Sequence, residues 1–134
     1  MVILHDLAEA LTFDISKSYL TYIGKRGSVI KSEIEGSAWK HITRGIGSVS
    51  ISSEYAKLQE QYVSNATIEA QIVHVADSLD ILLQILELRR RGYPASLLEE
   101  LWNEGVRKVK NTPVYSARQL LNSVKRKEKG LRTK

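Results

Sequence analysis

The sequence has no cysteine and only two prolines among its 134 residues. Without cysteine the chain can form neither a disulfide framework nor a zinc site built on thiolates, so any bound metal must be held by His, Asp and Glu. No apolar run approaches the roughly 20 residues that span a bilayer, and the short apolar start leads directly into two polar residues, unlike a signal peptide. We therefore expect a soluble, cytoplasmic protein with no membrane partner.

The size and charge of the chain predict one domain followed by a tail. A chain of 134 residues that is 43% hydrophobic can form one globular domain with its own core. Six of the 20 basic residues and one of the 15 acids lie in residues 125–134, which leaves 14 of each in residues 1–124. We expect a single domain over 1–124 and a basic, disordered tail over 125–134. Nucleic acid is not expected as a partner; binding through the tail would appear as a salt-dependent affinity lost on deleting it.

The spacing of apolar residues predicts an all-α fold of six or seven helices, because these residues recur at intervals of three and four rather than alternating. Asn65 is the expected N-cap of the longest helix, which is apolar around most of its circumference and therefore should be central and buried. An irregular loop is expected at 45–53. The expected helices cover residues 2–13, 15–24, 28–43, 53–62, 66–91, 94–109 and 113–124.

Several acids fall within these apolar helices. His5, Asp6 and Glu9 are spaced to project from neighbouring positions of one helix surface, and Asp77 lies in the expected core helix. An unpaired buried carboxylate is costly, so each acid needs a cation, a donor network or a metal. A divalent ion held by His5, Asp6 and Asp77 would neutralise these acids, although Asp77 alone could equally be a buried cap or a salt-bridge partner.

Two motifs carry a family resemblance. Residues 5–14 read His-Asp-Leu-Ala-Glu-Ala-Leu-Thr-Phe-Asp, and residues 69–77 read Glu-Ala-Gln-Ile-Val-His-Val-Ala-Asp, with Ala-Trp-Lys-His-Ile-Thr at 38–43 between them. This pattern resembles the HD-domain phosphohydrolases, and most closely their branch of 5′-deoxynucleotidases and oxetanocin-like proteins. The resemblance covers residues 2–91 and is more specific at the first motif than at the second.

The resemblance implies an HD-domain-like helical bundle with a defined site. His5, Asp6 and Asp77 would be the metal ligands, Glu9 would handle protons at the attacking water or leaving oxygen, and Asp14 would lie near the sugar and the scissile phosphate. The implied cofactor is a divalent ion (Mn, Co, Zn or Mg), and the implied substrates are deoxynucleoside 5′-monophosphates. Such an ion acidifies its bound water and polarises the phosphoryl oxygen, while a nearby carboxylate moves the proton.

The sequence departs from the family pattern in two ways. The family supplies a further histidine ligand from a helix upstream of the His-Asp pair, but only four residues precede His5. An N-terminally truncated bundle is therefore expected, and the apolar surface left by the missing helix predicts a homo-oligomer, a dimer or higher. In addition, Phe13 stands where the family favours a small residue, and Gly36 and Ser37 stand where acids are common.

Other residues could support or replace parts of this site. His74, one turn before Asp77, and more loosely His41 are candidates for the missing ligand, and the alternative for each is an ordinary hydrogen-bonded or partly exposed histidine. Asp80 could form hydrogen bonds to the metal ligands and so support the site, or it could pair with an arginine. The alternative function is a weak or inactive HD scaffold that serves self-association or ligand binding.

Overall fold

A computed structural model of the chain describes Met1 and residues 4–132, with the backbone alone for Lys17, Ser18, Thr21 and Arg132. All its regular elements are helical, and no strand occurs among these residues, so the all-α prediction is confirmed. No helix in the described residues has the length and apolar character needed to cross a membrane. The elements are α1 (Glu9–Thr12), α2 (Lys17–Ile23), a 3-10 turn (Gly24–Arg26), α3 (Gly27–Arg44), α4 (Val49–Ser64), α5 (Ile68–Arg90), α6 (Ala95–Lys110) and α7 (Tyr115–Arg132).

The chain divides into two compact units, the first over Met1–Ser64 and the second from Asn65 onward. In the first unit, α3 contacts α1, α2 and α4. Its small core consists of Ala8, Ala38 and Trp39, with half-buried apolar side chains packed against them. The single domain expected over 1–124 stays a prediction.

Two expected elements of the first unit differ in the structure. The predicted helix over 2–13 is helical as α1 only from Glu9, because residues 5–8 form tight turns instead; residues 2 and 3 lie outside the described part. The predicted loop over 45–53 is shorter, since α4 already begins at Val49. The Ser48 hydroxyl accepts the Ile51 amide at 3.4 Å, which satisfies one of the free amides at the start of α4.

The start of α5 corrects a capping prediction. Asn65 has a left-handed backbone (φ 52°), a conformation that asparagine tolerates and that commonly follows the end of a helix, here α4. The N-cap of α5 is Thr67, which has extended backbone angles and whose hydroxyl accepts the Ala70 amide at 3.2 Å. The prediction that Asn65 caps this helix was therefore wrong by two residues.

The second unit is a bundle of α5, α6 and α7. The central position predicted for α5 is confirmed, since α5 packs on both other helices and buries Leu82 completely. Gly105 of α6 allows a close approach, because a Cβ atom there would lie 2.9 Å from Leu82 Cδ2. The structure differs from the expected disordered tail, because residues 125–132 continue α7.

Candidate functional site

The His5-Asp6 pair lies in the tight turns that precede α1. The Leu7 amide donates to the Leu4 carbonyl (3.2 Å), and the Glu9 amide donates to the Asp6 carbonyl (2.9 Å). Adjacent residues of an α-helix do not face each other, whereas this turn brings the His5 Nε2 and Asp6 Oδ2 atoms to 2.9 Å. The first motif therefore forms a local pair of imidazole and carboxylate.

The two side chains of this pair have different surroundings. The His5 side chain is mostly buried (21% exposed), whereas that of Asp6 is 61% exposed. The rings of His5 and Tyr62 of α4 form an edge contact, with centroids 5.9 Å apart and planes at 66°. This contact restricts the imidazole, whereas the Asp6 carboxylate is accessible to solvent.

The turn is supported by the core of the first unit. Ala8 is buried against Ala38 and Trp39 of α3, and Leu4 and Leu7 pack around them. Because Ala8 is the residue immediately before α1, its burial fixes the residues on either side of it. The candidate residues next to Ala8 thus lie on a packed layer and not on a free loop.

Glu9 is the first residue of α1 and lies one turn after Asp6. Its pKa is raised above the ordinary value of 4.5, mainly because partial burial disfavours the charged form. The negative charges of Asp6 and Asp14 raise the pKa further. The three predicted site acids, Asp6, Glu9 and Asp14, therefore interact electrostatically near the start of α1.

An ion pair on α3 also acts on Glu9. Lys31 Nζ and Glu35 Oε1 are 3.4 Å apart at an i, i+4 spacing. Lys31 lowers the pKa of Glu9 and Glu35 raises it, and both effects are smaller than those of burial and of the two aspartates. Neither residue was among the predicted site residues, although their spacing alone predicts the ion pair.

Asp14 follows α1 and is exposed, and the residue before it has an unusual backbone. Phe13 has φ 56° and ψ 170°, a region that glycine adopts readily and other residues rarely do. The Phe13 amide still donates to the Glu9 carbonyl at 2.9 Å, which closes the turn at the end of α1. The chain therefore keeps a glycine-like turn at the position where the resemblance implies a small residue.

The predicted third ligand lies in the second unit. Asp77 is exposed on α5, and the half-buried His74 precedes it by one turn. The carboxylate of Asp80 accepts a hydrogen bond from Gln84 Nε2 at 2.6 Å. His41, the looser candidate, is exposed in the last turn of α3.

The first motif supplies side-chain types that bind divalent ions, an imidazole and carboxylates. His5 Nε2 and Asp6 Oδ2 contact each other directly at 2.9 Å, as in an imidazole–carboxylate ion pair. Among Met1 and residues 4–132, no group of three or more His, Asp or Glu side chains is placed to hold a metal. His5 and Asp6 thus have the chemistry of metal ligands, and the assignment of His5, Asp6 and Asp77 as the ligand set stays a prediction.

Comparisons with known proteins gave one match. A family model described as "HD domain" matches residues 1–118, which include all five predicted site residues. The search of curated proteins and the search of solved structures found no match.

Proposed function

The chain belongs to the HD-domain family, and from this premise we propose that it is a metal-dependent phosphohydrolase that releases phosphate from deoxynucleoside 5′-monophosphates. HD domains in general bind divalent metals and hydrolyse phosphoesters. The observation that supports the proposal most is the paired His5 and Asp6 with Glu9, a carboxyl of raised pKa, one turn later.

In the proposed site, His5 and Asp6, together with Asp77, would hold the divalent ion. When bound, a Mn, Co, Zn or Mg ion supplies an acidified water and a polarised phosphoryl oxygen. The edge contact with Tyr62 keeps the His5 ring in place, so its ligand nitrogen needs little reorganisation. The exposed side chain of Asp6 leaves room for substrate and solvent on the same side of the pair.

Glu9 would move the proton. A general acid or base works best when its pKa is near the operating pH, and the raised pKa of Glu9 moves it in that direction. Asp14 is exposed and can accept hydrogen bonds from the sugar hydroxyls. The glycine-like backbone conformation of Phe13 sets the direction in which the chain leaves α1, and therefore the position of Asp14.

The test is phosphate release from a panel of deoxynucleoside and ribonucleoside monophosphates, with each of the four metals added separately. Glu9→Gln should lower kcat by about 10²- to 10⁴-fold, the usual contribution of a general acid or base. Glu60→Gln, which removes an exposed acid from α4 in the same unit, is the matched control and should leave kcat unchanged.

Metal binding provides a second readout that does not depend on turnover. Calorimetric titration with manganese should show weaker binding for Asp6→Asn and Asp77→Asn than for the control Glu69→Gln, an exposed acid of α5. The proposal fails if no metal supports phosphate release from any nucleotide and Asp77→Asn changes neither binding nor activity. Release from ribonucleotides alone would refute the deoxynucleotide preference.

The second candidate function is a weak or inactive HD scaffold that self-associates. It is favoured by an apolar face on α2, where Tyr19, Tyr22 and Ile23 are exposed at i, i+3 and i+4. Light scattering should give a dimer or higher oligomer that Tyr19→Gln/Tyr22→Gln converts to a monomer. The matched control replaces two exposed tyrosines of the second unit, Tyr93 and Tyr115. A monomeric wild-type chain would contradict this proposal.

A further inference from the structure

A group of basic residues lies on the outer side of α7. Residues 125–129 read Lys-Arg-Lys-Glu-Lys, and all of them are helical. Glu128, the one acid in the sequence of α7, is buried and paired with Arg89 of α5. Among these five residues, the side chains that reach solvent are therefore cationic. We name them the α7 basic face: Lys125, which is half-buried, and the exposed Arg126, Lys127 and Lys129.

The dipole of the helix does not account for most of these charges. Cations favour the C-terminus of a helix only within its last turn, and Lys125, Arg126 and Lys127 lie more than one turn before Arg132. Lys125 and Lys129 are like charges at an i, i+4 spacing, an arrangement that does not favour a helix. The dipole of α7 therefore does not explain why Lys125, Arg126 and Lys127 lie where they do.

Because the α7 basic face is part of a folded helix, it can bind an anionic ligand more strongly than a disordered tail of the same composition. A disordered basic tail must become ordered when it binds, and the entropy lost in that step weakens the affinity. In this structure the cations are already arranged on a helix whose far side packs against α5 and α6. A ligand with several closely spaced negative charges can then contact them without that ordering cost.

We propose that the α7 basic face binds the phosphodiester backbone of a nucleic acid. Nucleic acids present closely spaced phosphates in a regular array, and each phosphate that a Lys or Arg neutralises releases a counterion. Insertion of α7 into a lipid surface is disfavoured, because Ala117, Leu121 and Val124 on its apolar face are buried in the core of the second unit. Contacts to phosphates carry no base recognition, so the binding is independent of nucleotide sequence.

The test compares two double variants of the full chain. Arg126→Gln/Lys127→Gln removes two exposed cations from the α7 basic face. Arg107→Gln/Lys110→Gln removes the same residue types and the same charge from the exposed end of α6. Glu99, near the start of α6, and Glu128 of α7 both bond to Arg89, so the start of α6 lies close to the basic face. Lys110 lies about 16 Å further along α6 and is therefore far from that face.

The measurement is the fluorescence anisotropy of a labelled DNA duplex of mixed sequence as a function of salt. Four phosphate contacts predict a wild-type affinity about 150-fold weaker at 200 mM than at 50 mM salt, and two contacts predict a change of about 12-fold. We expect the α7 variant to show the smaller salt dependence and weaker binding, and the α6 variant to behave like wild type. Arg126→Lys/Lys127→Arg, which keeps the charge, should also bind like wild type.

Three results would overturn the proposal. The first is unchanged duplex binding by the α7 double variant, and the second is an equal loss in the α6 control. The third is binding of the wild-type chain to vesicles that contain phosphatidylserine without binding to the duplex, which would identify a lipid surface as the partner. Both Gln variants change only exposed side chains, and their thermal unfolding, followed by circular dichroism, verifies that each one is folded.

Discussion

Arg89 at the C-terminal end of α5 forms a buried ion pair with Glu128 near the end of α7. The same guanidinium donates through Nη2 to Glu99 of α6 at 3.2 Å and lies 5.0 Å from the centre of the Trp102 ring. A single arginine thereby connects the ends of three helices. Through Glu128, this network ties the helical segment 125–132 to α5 and α6.

Removing the acid from this pair should destabilise the second unit strongly. Glu128→Ala would leave Arg89, whose side chain is only 5% exposed, without its buried partner. Breaking one side of a buried pair costs about 3–5 kcal/mol, and we expect a value near 3 because Glu99 remains. Urea unfolding followed by circular dichroism measures the change in the free energy of unfolding.

The matched control for this prediction is Glu100→Ala. Glu100 neighbours Glu99 on α6 but is exposed, so its removal should change the free energy of unfolding by no more than about 0.5 kcal/mol. Equal effects of the two substitutions would show that the buried pair has no special role in stability.

The end of α7 shows where inference from sequence is weak. Charge density predicts disorder for residues 125–134, because repulsion and solvation usually outweigh local helix propensity. In the structure this segment is helical, and its Glu128 pairs with Arg89, 39 positions away. No local pattern indicates that pairing, so composition could not predict it.

The first unit shows the same division between local and tertiary information. The spacing of His5, Asp6 and Glu9 predicts that they lie together; in the structure His5 contacts Asp6 and the charge of Asp6 acts on Glu9, in tight turns and not in a long helix. The contact between His5 and Tyr62 depends on how α4 packs, so no local sequence pattern predicts it. Most helices were predictable because their period is local, whereas their ends depend on individual caps such as Thr67.

Two glycines within helices should respond oppositely to alanine. At Gly105 a Cβ atom would lie 2.9 Å from Leu82 Cδ2, and Leu82 is fully buried, so Gly105→Ala should lower the free energy of unfolding by about 1 kcal/mol net of its helix propensity. At Gly36 nothing lies within 4 Å, so Gly36→Ala should raise it by about 1 kcal/mol. Chemical denaturation of both variants checks the pair, and a gain at Gly105 would contradict the close packing.

The backbone at Phe13 predicts that glycine stabilises the first unit. A side chain at φ 56° and ψ 170° costs about 1–3 kcal/mol, and the Phe13 ring is 81% exposed, so little packing is lost with it. Phe13→Gly should therefore raise the free energy of unfolding by about 1 kcal/mol after the greater flexibility of unfolded glycine is subtracted.

Phe13→Ala separates backbone strain from loss of the ring. Alanine lacks the aromatic ring but keeps the Cβ atom, so we expect no gain in stability from it. If the glycine and alanine variants unfold at the same denaturant concentration, the backbone at this position is not strained.

The raised pKa of Glu9 predicts a dependence of stability on pH. The native state binds the Glu9 proton more tightly than the unfolded chain, mainly because of burial and then because of Asp6 and Asp14. Ionised Glu9 therefore destabilises the fold at pH values above its raised pKa, and this penalty disappears as the pH falls through that pKa and below 4.5. Glu9→Gln should stabilise the metal-free protein at neutral pH, with a gain that shrinks on acidification. Urea unfolding of the wild type and the variant at about pH 7 and about pH 4 measures this difference.

The matched control for this pH dependence is Glu60→Gln, which removes an exposed acid of α4 in the same unit. It should change the free energy of unfolding by no more than about 0.5 kcal/mol. A gain from Glu9→Gln that is equal at both pH values would show that titration of this carboxyl is not its cause.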